Sequence, residues 1–123
     1  MTSNLELCEQ FFAAVAHGDI DAVAGFYAPN AVIWHNNDGI EMTPEQNLRA
    51  LRWITKNMQD FRYEDVRRFD TGSGFVQQHT TCGTTASGAA FSIPACVIVQ
   101  VVDGRITRLD EYLDSAQTAA LTR

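Results

Sequence analysis

Residues 90–114 have the sequence AFSIPACVIVQVVDGRITRLDEYLD, and the fold prediction starts from this segment. Its apolar residues recur with a period close to two on both sides of Asp103-Gly104, a dipeptide favoured in tight hairpin turns. Pro94 predicts a bulge or a sheet edge in the first half of the stretch, because proline cannot donate to a ladder. The same period appears upstream, so four strands are predicted, at about 61–70, 75–84, 90–102 and 105–114.

The N-terminal part of the chain carries helical patterns instead. Ser3 and Glu6 match a capping box, and the apolar residues that follow them recur at helical spacing. Gly18 predicts the end of this helix, and Asp19 predicts the cap of a short second helix that runs through Tyr27. Two consecutive helices are therefore expected before the first strand.

A strand and a third helix are predicted between these helices and the four strands. Residues 31–36 form the strand, which ends at a turn over residues 37–39. Thr43 is the predicted N-cap of the third helix, with Pro44 at the first helical position. The apolar stripe of this helix consists of Leu48, Leu51, Ile54 and Met58. Helices at the start of the chain are followed by strands with short connections. This order predicts an α+β fold in which neighbouring strands are antiparallel.

Length, composition and charge narrow the class of protein. The 123 residues are 46% hydrophobic and 20% charged, which predicts one globular domain over residues 1–123. With 9 basic and 15 acidic side chains the formal net charge is −6, so neither nucleic acid nor an anionic membrane surface is expected as a partner. No apolar run approaches the roughly 20 residues that cross a bilayer.

The cysteines and the start of the chain indicate a compartment. Cys8, Cys82 and Cys96 are an odd number at wide spacings, which predicts reduced thiols. The first residues lack the basic and apolar regions of a signal peptide. We therefore expect a cytoplasmic protein.

Glu111 is the first candidate for chemistry. Alternate residues of a strand share a face, so Glu111 is predicted to lie between Leu109 and Leu113. A carboxylate among apolar side chains is costly unless it is paired or protonated, and such groups are candidates for general acid/base catalysis. The alternative is a structural carboxylate on a half-wetted face or paired with an arginine.

Two other strands offer partners for this carboxylate. His79 shares a predicted face with Thr81, and a carboxylate beside its imidazole would favour the charged form. The alternative is a core histidine bonded to the backbone. In the first strand Trp34 and Asn36 project together, as an apolar wall and an amide that could hold water or a substrate oxygen, whereas His35 lies on the opposite face.

The sequence contains no motif for a metal or a cofactor. His17, His35 and His79 share no metal-ligand spacing, and no cluster of cysteine and histidine occurs. A nucleophile elbow and a dinucleotide-binding fingerprint are also absent. We therefore expect acid/base chemistry that needs no metal and no cofactor.

Four segments resemble the SnoaL-like branch of the NTF2-like superfamily. They are FFAAVAHGD at 11–19, YAPNAV at 27–32, DGRI at 103–106 and EYLD at 111–114, so the resemblance covers nearly the whole chain. It implies an α+β cone, in which a curved antiparallel sheet wraps around N-terminal helices and encloses an apolar pocket. It also implies a homodimer through the outer face of the sheet. The superfamily includes polyketide cyclases, limonene epoxide hydrolases, ketosteroid isomerases, dehydratases and non-catalytic binding domains.

The resemblance also implies roles for individual residues. In the epoxide hydrolases a Tyr of the first strand and an Asn two residues later hold the attacking water, and Trp34 and Asn36 match those positions with only the amide kept. Glu111 matches the water-activating Asp of the last strand. His79 and Thr81 stand where an Arg and a second Asp are expected. SnoaL-type cyclases use a late carboxylate with a nearby His, which Glu111 and His79 resemble more closely.

Two functions follow as hypotheses. The first is an enzyme that performs cofactor-independent acid/base chemistry of the cyclase, hydrolase or isomerase type on a small apolar substrate. Glu111 would be its base or acid, His79 the partner and Asn36 the group that positions water or a substrate oxygen. The alternative is a module that binds a small ligand, or dimerises, without turnover. The substrate pocket is expected to contain Trp34, Leu109, Leu113 and Thr81.

Overall fold

The computed structural model describes residues 2–118, and over these residues it has an α+β architecture. The three helices are α1 (Asn4–His17), α2 (Ile20–Phe26) and α3 (Pro44–Asn57). The six strands are β1 (Tyr27–His35), β2 (Glu41–Met42), β3 (Gln59–Asp70), β4 (Gly74–Thr84), β5 (Ala90–Val102) and β6 (Arg105–Leu113). They form one curved, open sheet in the order β2-β1-β6-β5-β4-β3.

The helix boundaries follow the capping signals in the sequence. Ser3 Oγ accepts the Glu6 N–H at 3.1 Å, and the Glu6 carboxylate accepts the Ser3 N–H at 3.3 Å, which completes the capping box of α1. Gly18 ends α1 in the left-handed region at φ 70°, and the side chain of the next residue caps α2. Thr43 begins α3 with a second capping box. These predictions are confirmed.

The sheet is antiparallel except at one pair of strands. β1 and β6 run parallel, with Ile33 opposite Leu109 and His35 opposite Glu111. This pairing is possible because most of the chain lies between the two strands and forms the crossover. The two-residue strand β2 pairs with β1 at one edge and has no counterpart in the prediction. The other edge, β3, is rich in charged side chains, as exposed edges usually are.

Pro94 lies in an interior strand without a bulge, but it stands where the pairing of β5 with β6 ends, so of the two expectations the bulge is wrong and the edge holds locally. β5 pairs with β4 on one side and β6 on the other, and Pro94 faces Thr80 without a shift in register. The Pro94 carbonyl accepts the Asp114 N–H at 3.1 Å, just past the end of β6. The N–H and C=O of a strand residue point to the same side, so the N–H that proline lacks would also have faced this position. The proline therefore interrupts no bond within the paired length of β6.

A bulge in β6 determines which of its residues face inward. One residue, Thr107, is extra between the pairs that β6 makes with Gln100 and Val101. Ile106 and Leu109 are therefore both buried, although strict alternation would put them on opposite faces. From Leu109 onward the strand alternates as predicted, and its inner face points toward the helices.

The helices cover the inner face of the sheet. The ring of Phe12 on α1 packs edge-on against Phe75 of β4, and the ring of Phe11 packs against Tyr27 of β1. A smaller cluster of Met58, Phe91 and Ile93 joins the end of α3 to β5.

Within the described residues no helix is long and apolar enough to span a membrane. The largest fully buried side chains are Phe75, Ile33, Ile106, Gln77, Val23, Val97 and Val99.

Candidate active site

A cavity of about 310 Å³ opens between α3 and the inner face of the sheet. A chamber of about 60 Å³ adjoins it and is lined on its far side by α1. The residues that line both spaces are His35, Asn47, Leu51, Tyr63 and Glu111. The apolar residues of the larger cavity include Ile54, Met58, Phe61, Phe91, Ile93 and Leu113. Polar side chains therefore gather where the two chambers meet, inside a mostly apolar wall.

Glu111 and His35 form an ion pair at this junction. The Nε2 atom of His35 lies 3.0 Å from Oε1 of Glu111, and the two side chains are 22% and 19% exposed. The pair forms because the two residues are opposite each other in the parallel β1–β6 ladder. The partner of Glu111 is therefore a histidine inside the cavity, rather than the arginine that the structural alternative requires.

The pKa of His35 is raised above its ordinary value. Burial lowers this pKa, but the hydrogen bond to Glu111 and the negative charges of Glu111 and Asp38 raise it by more. The pair is therefore favoured as an imidazolium beside a carboxylate. Such a pair offers a proton acceptor and a proton donor side by side, which general acid/base catalysis requires.

At the end of β1, the face that points into the cavity is the opposite of the one expected. His35 and Asn37 line the larger cavity, whereas Trp34 lies on the outer face with its ring 5.2 Å from that of Tyr112. Asn36 is exposed, and its side chain accepts a backbone N–H of β6. The expectation that Trp34 and Asn36 face the pocket is therefore wrong by one residue. Alternation defines two faces of a strand without saying which face is buried.

His79 lies on the inner face of β4, but it does not pair with Glu111. Its Nδ1 atom lies 2.9 Å from Nε2 of Gln77, whose Oε1 accepts the Nε–H of Arg68 at 2.8 Å. Because Oε1 of Gln77 is an acceptor, its amide nitrogen donates to Nδ1, and the remaining proton of a neutral His79 is on Nε2. Among the described residues this Nε2 has no hydrogen-bond partner. The expected pair of His79 with Glu111 is therefore corrected to a pair of His35 with Glu111.

The surroundings of His79 keep its ring neutral. The ring packs against Phe12 and Tyr63, with centroid distances of 5.4 and 4.4 Å. Burial lowers the pKa of His79, the charge of Glu111 raises it in part, and the charge of Arg68 lowers it further. The pKa values of His35 and His79 thus shift in opposite directions, because only His35 contacts the carboxylate.

Three of the four predicted pocket residues line the chambers. Thr81 and Leu113 line the larger cavity and Leu109 lines the smaller one, whereas Trp34 faces outward. His35 is the main residue that sequence reasoning did not select. The feature that could have identified His35 is its position opposite Glu111, and this position follows only once β1 and β6 are paired in parallel.

Two tyrosines and an amide complete the polar groups at the junction. Tyr27 donates its hydroxyl to Oδ1 of Asn47 at 2.7 Å. Burial raises the pKa of both Tyr27 and Tyr63, and the charge of Glu111 raises both further, so the phenols stay protonated at neutral pH. No group of three His, Cys, Asp or Glu side chains in residues 2–118 is arranged to hold a metal ion.

The chain belongs to the SnoaL-like domain family, whose family model matches residues 8–109. The match begins within α1 and ends within β6, before Glu111, and confirms the resemblance found in the sequence. A search of curated proteins finds no match.

Solved structures with the same fold share little sequence with this chain. A polyketide cyclase candidate from Xanthomonas campestris is 19% identical, with a TM-score of 0.84 over 98% of this chain and 96% of that chain. Another from Pseudomonas putida is 17% identical, with a TM-score of 0.85 over 98% of both chains. A hypothetical protein from Catenulispora acidiphila, with a ketosteroid isomerase-like fold and in complex with trimethylamine, is 16% identical, with a TM-score of 0.81 over 95% of this chain and 92% of that chain. These similarities identify the fold as NTF2-like.

Proposed function

We propose that this protein is an enzyme that performs acid/base chemistry of the cyclase, hydrolase or isomerase type on a small, mostly apolar substrate. The observation that carries the proposal is the contact of 3.0 Å between His35 and Glu111 where the two chambers meet. Membership of a family whose structural neighbours include polyketide cyclase candidates supports it. Glu111 is the proposed base, and His35 replaces His79 as its direct partner.

Proton transfer to Glu111 is the central step of the proposed mechanism. The carboxylate removes a proton from a carbon beside a carbonyl or from water, and the electron pair stays on the substrate or on the new hydroxide. The imidazolium of His35 donates its proton to the oxygen that gains charge. The proton on Glu111 then passes to His35, which restores the ion pair. These steps use only side chains of this chain.

The remaining polar groups are proposed to orient the substrate. Asn37 at the cavity can bind a water or a substrate oxygen, which is the role first assigned to Asn36. His79 lines neither chamber, so its Nε2–H, which has no hydrogen-bond partner among the described residues, is not assigned to the ligand. The apolar walls, including Leu109 and Leu113, with the methyl group of the lining residue Thr81, exclude water from the carboxylate and strengthen its interactions.

The test of this function measures proton abstraction without knowledge of the natural substrate. Cyclic ketones are incubated with the protein in D₂O, and deuterium uptake at the α-carbon is followed by NMR. We expect Glu111→Gln to lower the rate at least about 100-fold, the contribution typical of a positioned base, with ketone affinity nearly unchanged. Glu41→Gln is the matched control, because Glu41 is also ion-paired but lies at the exposed edge of the sheet. Equal rates for wild type and Glu111→Gln would refute the base.

A second candidate function is the binding of a small ligand without turnover. It is favoured by the neighbour from Catenulispora acidiphila, which holds trimethylamine. A cavity lined by a carboxylate and by the rings of Phe61, Tyr63 and Phe91 is a suitable environment for a small ammonium ion. Saturable binding of trimethylammonium, combined with no deuterium exchange in any ketone, would favour this function over the enzyme.

We also propose a cytoplasmic homodimer in which the outer faces of two sheets meet. Ile98 of β5 and Tyr112 of β6 are 41% and 47% exposed on that face. Trp34 packs against Tyr112 there, so three neighbouring strands contribute apolar side chains to this face, on either side of Asp110. A second copy would cover these side chains.

A further inference from the structure

Asn36 occupies the position at which the parallel ladder between β1 and β6 ends. Its backbone N–H donates to the Glu111 carbonyl at 3.0 Å, which continues the ladder by one bond. The chain turns there, because the Gly39 N–H donates to the His35 carbonyl at 2.9 Å. The β1 strand thus stops directly after the residue that contacts the candidate base.

The side chain of Asn36 supplies the last bond of this ladder. In a regular parallel pair, the N–H and the C=O of one residue bond to the residues just before and just after its neighbour on the other strand, so the Leu113 N–H would donate to the backbone carbonyl of Asn36. Instead it donates to Oδ1 of Asn36 at 2.9 Å. The amide oxygen therefore replaces a backbone carbonyl that the turn has carried away, a substitution that the short Asn side chain makes readily.

This bond holds β1 rather than β6. β6 is fixed independently on its other side, where Val97 of β5 faces Glu111 and Ala95 faces Leu113. Glu111 is therefore anchored without help from β1. On its other side His35 is bonded only by the turn, through the Gly39 N–H, because the neighbouring strand is the two-residue β2, whose pairs are with Ile33 and Trp34.

We infer that Asn36 is a positioning residue, whose amide fixes the end of β1 so that the His35 imidazole stays in contact with Glu111. This role rests on the proposed function, in which that pair performs the proton transfer. It differs from the role of water holder that the sequence suggested, because the side chain of Asn36 is used on the outer side of the strand.

The experiment uses two NMR signals that need no substrate. Asn36→Ala should lower the protection of the Leu113 amide against hydrogen exchange by about tenfold, which is what the loss of one hydrogen bond produces. In the same variant the pKa of His35 should fall toward its ordinary value of about 6.5, because the imidazole leaves the carboxylate. Asn36→Gln, which displaces the oxygen by one methylene, should have the same effects and is the substitution less disruptive to folding.

Two further variants separate positioning from general damage. Asn36→Asp keeps an oxygen at the same place, so Leu113 should stay protected to within about threefold of wild type. Asn57→Ala removes a comparable bond, from Nδ2 of Asn57 to the Trp53 carbonyl in α3, and should leave both signals unchanged. If Leu113 loses protection but the pKa of His35 does not move, the inference is wrong. Failure of the proposed function would appear instead as an unchanged deuterium-exchange rate in Glu111→Gln.

Discussion

The pKa of His35 shifts in the opposite direction from that of an ordinary buried histidine, because the Glu111 carboxylate contacts the ring. Burial alone would favour the neutral ring, as it does for His79. The carboxylate at 3.0 Å reverses the direction, so the pKa of His35 rises. A raised pKa means that the folded state binds the proton more tightly than the unfolded state does.

The stability that the pair contributes should therefore depend on pH in a defined direction. It is fully present below the ordinary histidine pKa of about 6.5 and is lost as the pH rises through the raised pKa of folded His35. The measurement is a double-mutant cycle of His35→Gln and Glu111→Gln, with urea unfolding at about pH 5.5 and about pH 9. We expect a favourable coupling free energy at the lower pH and a much smaller one at the higher pH. A coupling that is the same at both would contradict the assigned pair.

The residue chosen as the base could be predicted from the sequence, but its partner could not. Glu111 stood out because Leu109 and Leu113 flank it on one face, and that face is the inner one. The partner depended on which face of β1 is buried and on which strand β1 joins. Both are set by contacts between distant parts of the chain. Because the inward face of β1 was assigned one residue off, the prediction placed Asn36 in the pocket where the structure has Asn37.

Elements with local signals were predicted closely, because capping and turn chemistry act over a few residues. The capping boxes at Ser3 and Thr43 and the hairpin at Asp103-Gly104 each lie within one short segment. The bulge at Thr107 and the interior place of Pro94 were not predicted, because both follow from pairing with a neighbouring strand.

Close contact between β4 and β5 leads to a prediction about Gly74. A Cβ atom built on this residue would lie 1.9 Å from the carbonyl oxygen of Val99, so the backbone of β5 would have to move. We expect Gly74→Ala to lower the free energy of unfolding by about 2 kcal/mol or more. Thermal and urea unfolding monitored by circular dichroism would measure the change.

The matched control for Gly74 is a glycine with free space around it. Gly25 lies in α2 with nothing within 4 Å of its Cβ position. Gly25→Ala should stabilise the protein by up to about 1 kcal/mol, because alanine favours the helix. Equal destabilisation by both substitutions would mean that the contact with Val99 is not the cause.

At the scale of the whole molecule, the curved sheet has one face covered by helices and one face open. The proposed dimer predicts that Ile98→Lys, which puts a charge in the centre of the open face, weakens self-association at least about 100-fold with the fold intact. Sedimentation equilibrium of wild type and variant would measure it. Trp53→Lys is the control, since Trp53 is 51% exposed on α3. The dimer proposal would be wrong if the wild-type protein sediments as a monomer.

The parallel pairing of β1 with β6 has a consequence for biosynthesis. Asn36 and Leu113 are 77 positions apart, so the two strands that carry the ion pair of His35 and Glu111 emerge from the ribosome at well-separated times. Such non-local contacts form slowly, since a long loop must close first. The helices and the β3–β4 hairpin can be complete in the nascent polypeptide while its acid has not yet been synthesised. The ion pair of His35 and Glu111 can therefore form only after the helices and the β3–β4 hairpin have been synthesised.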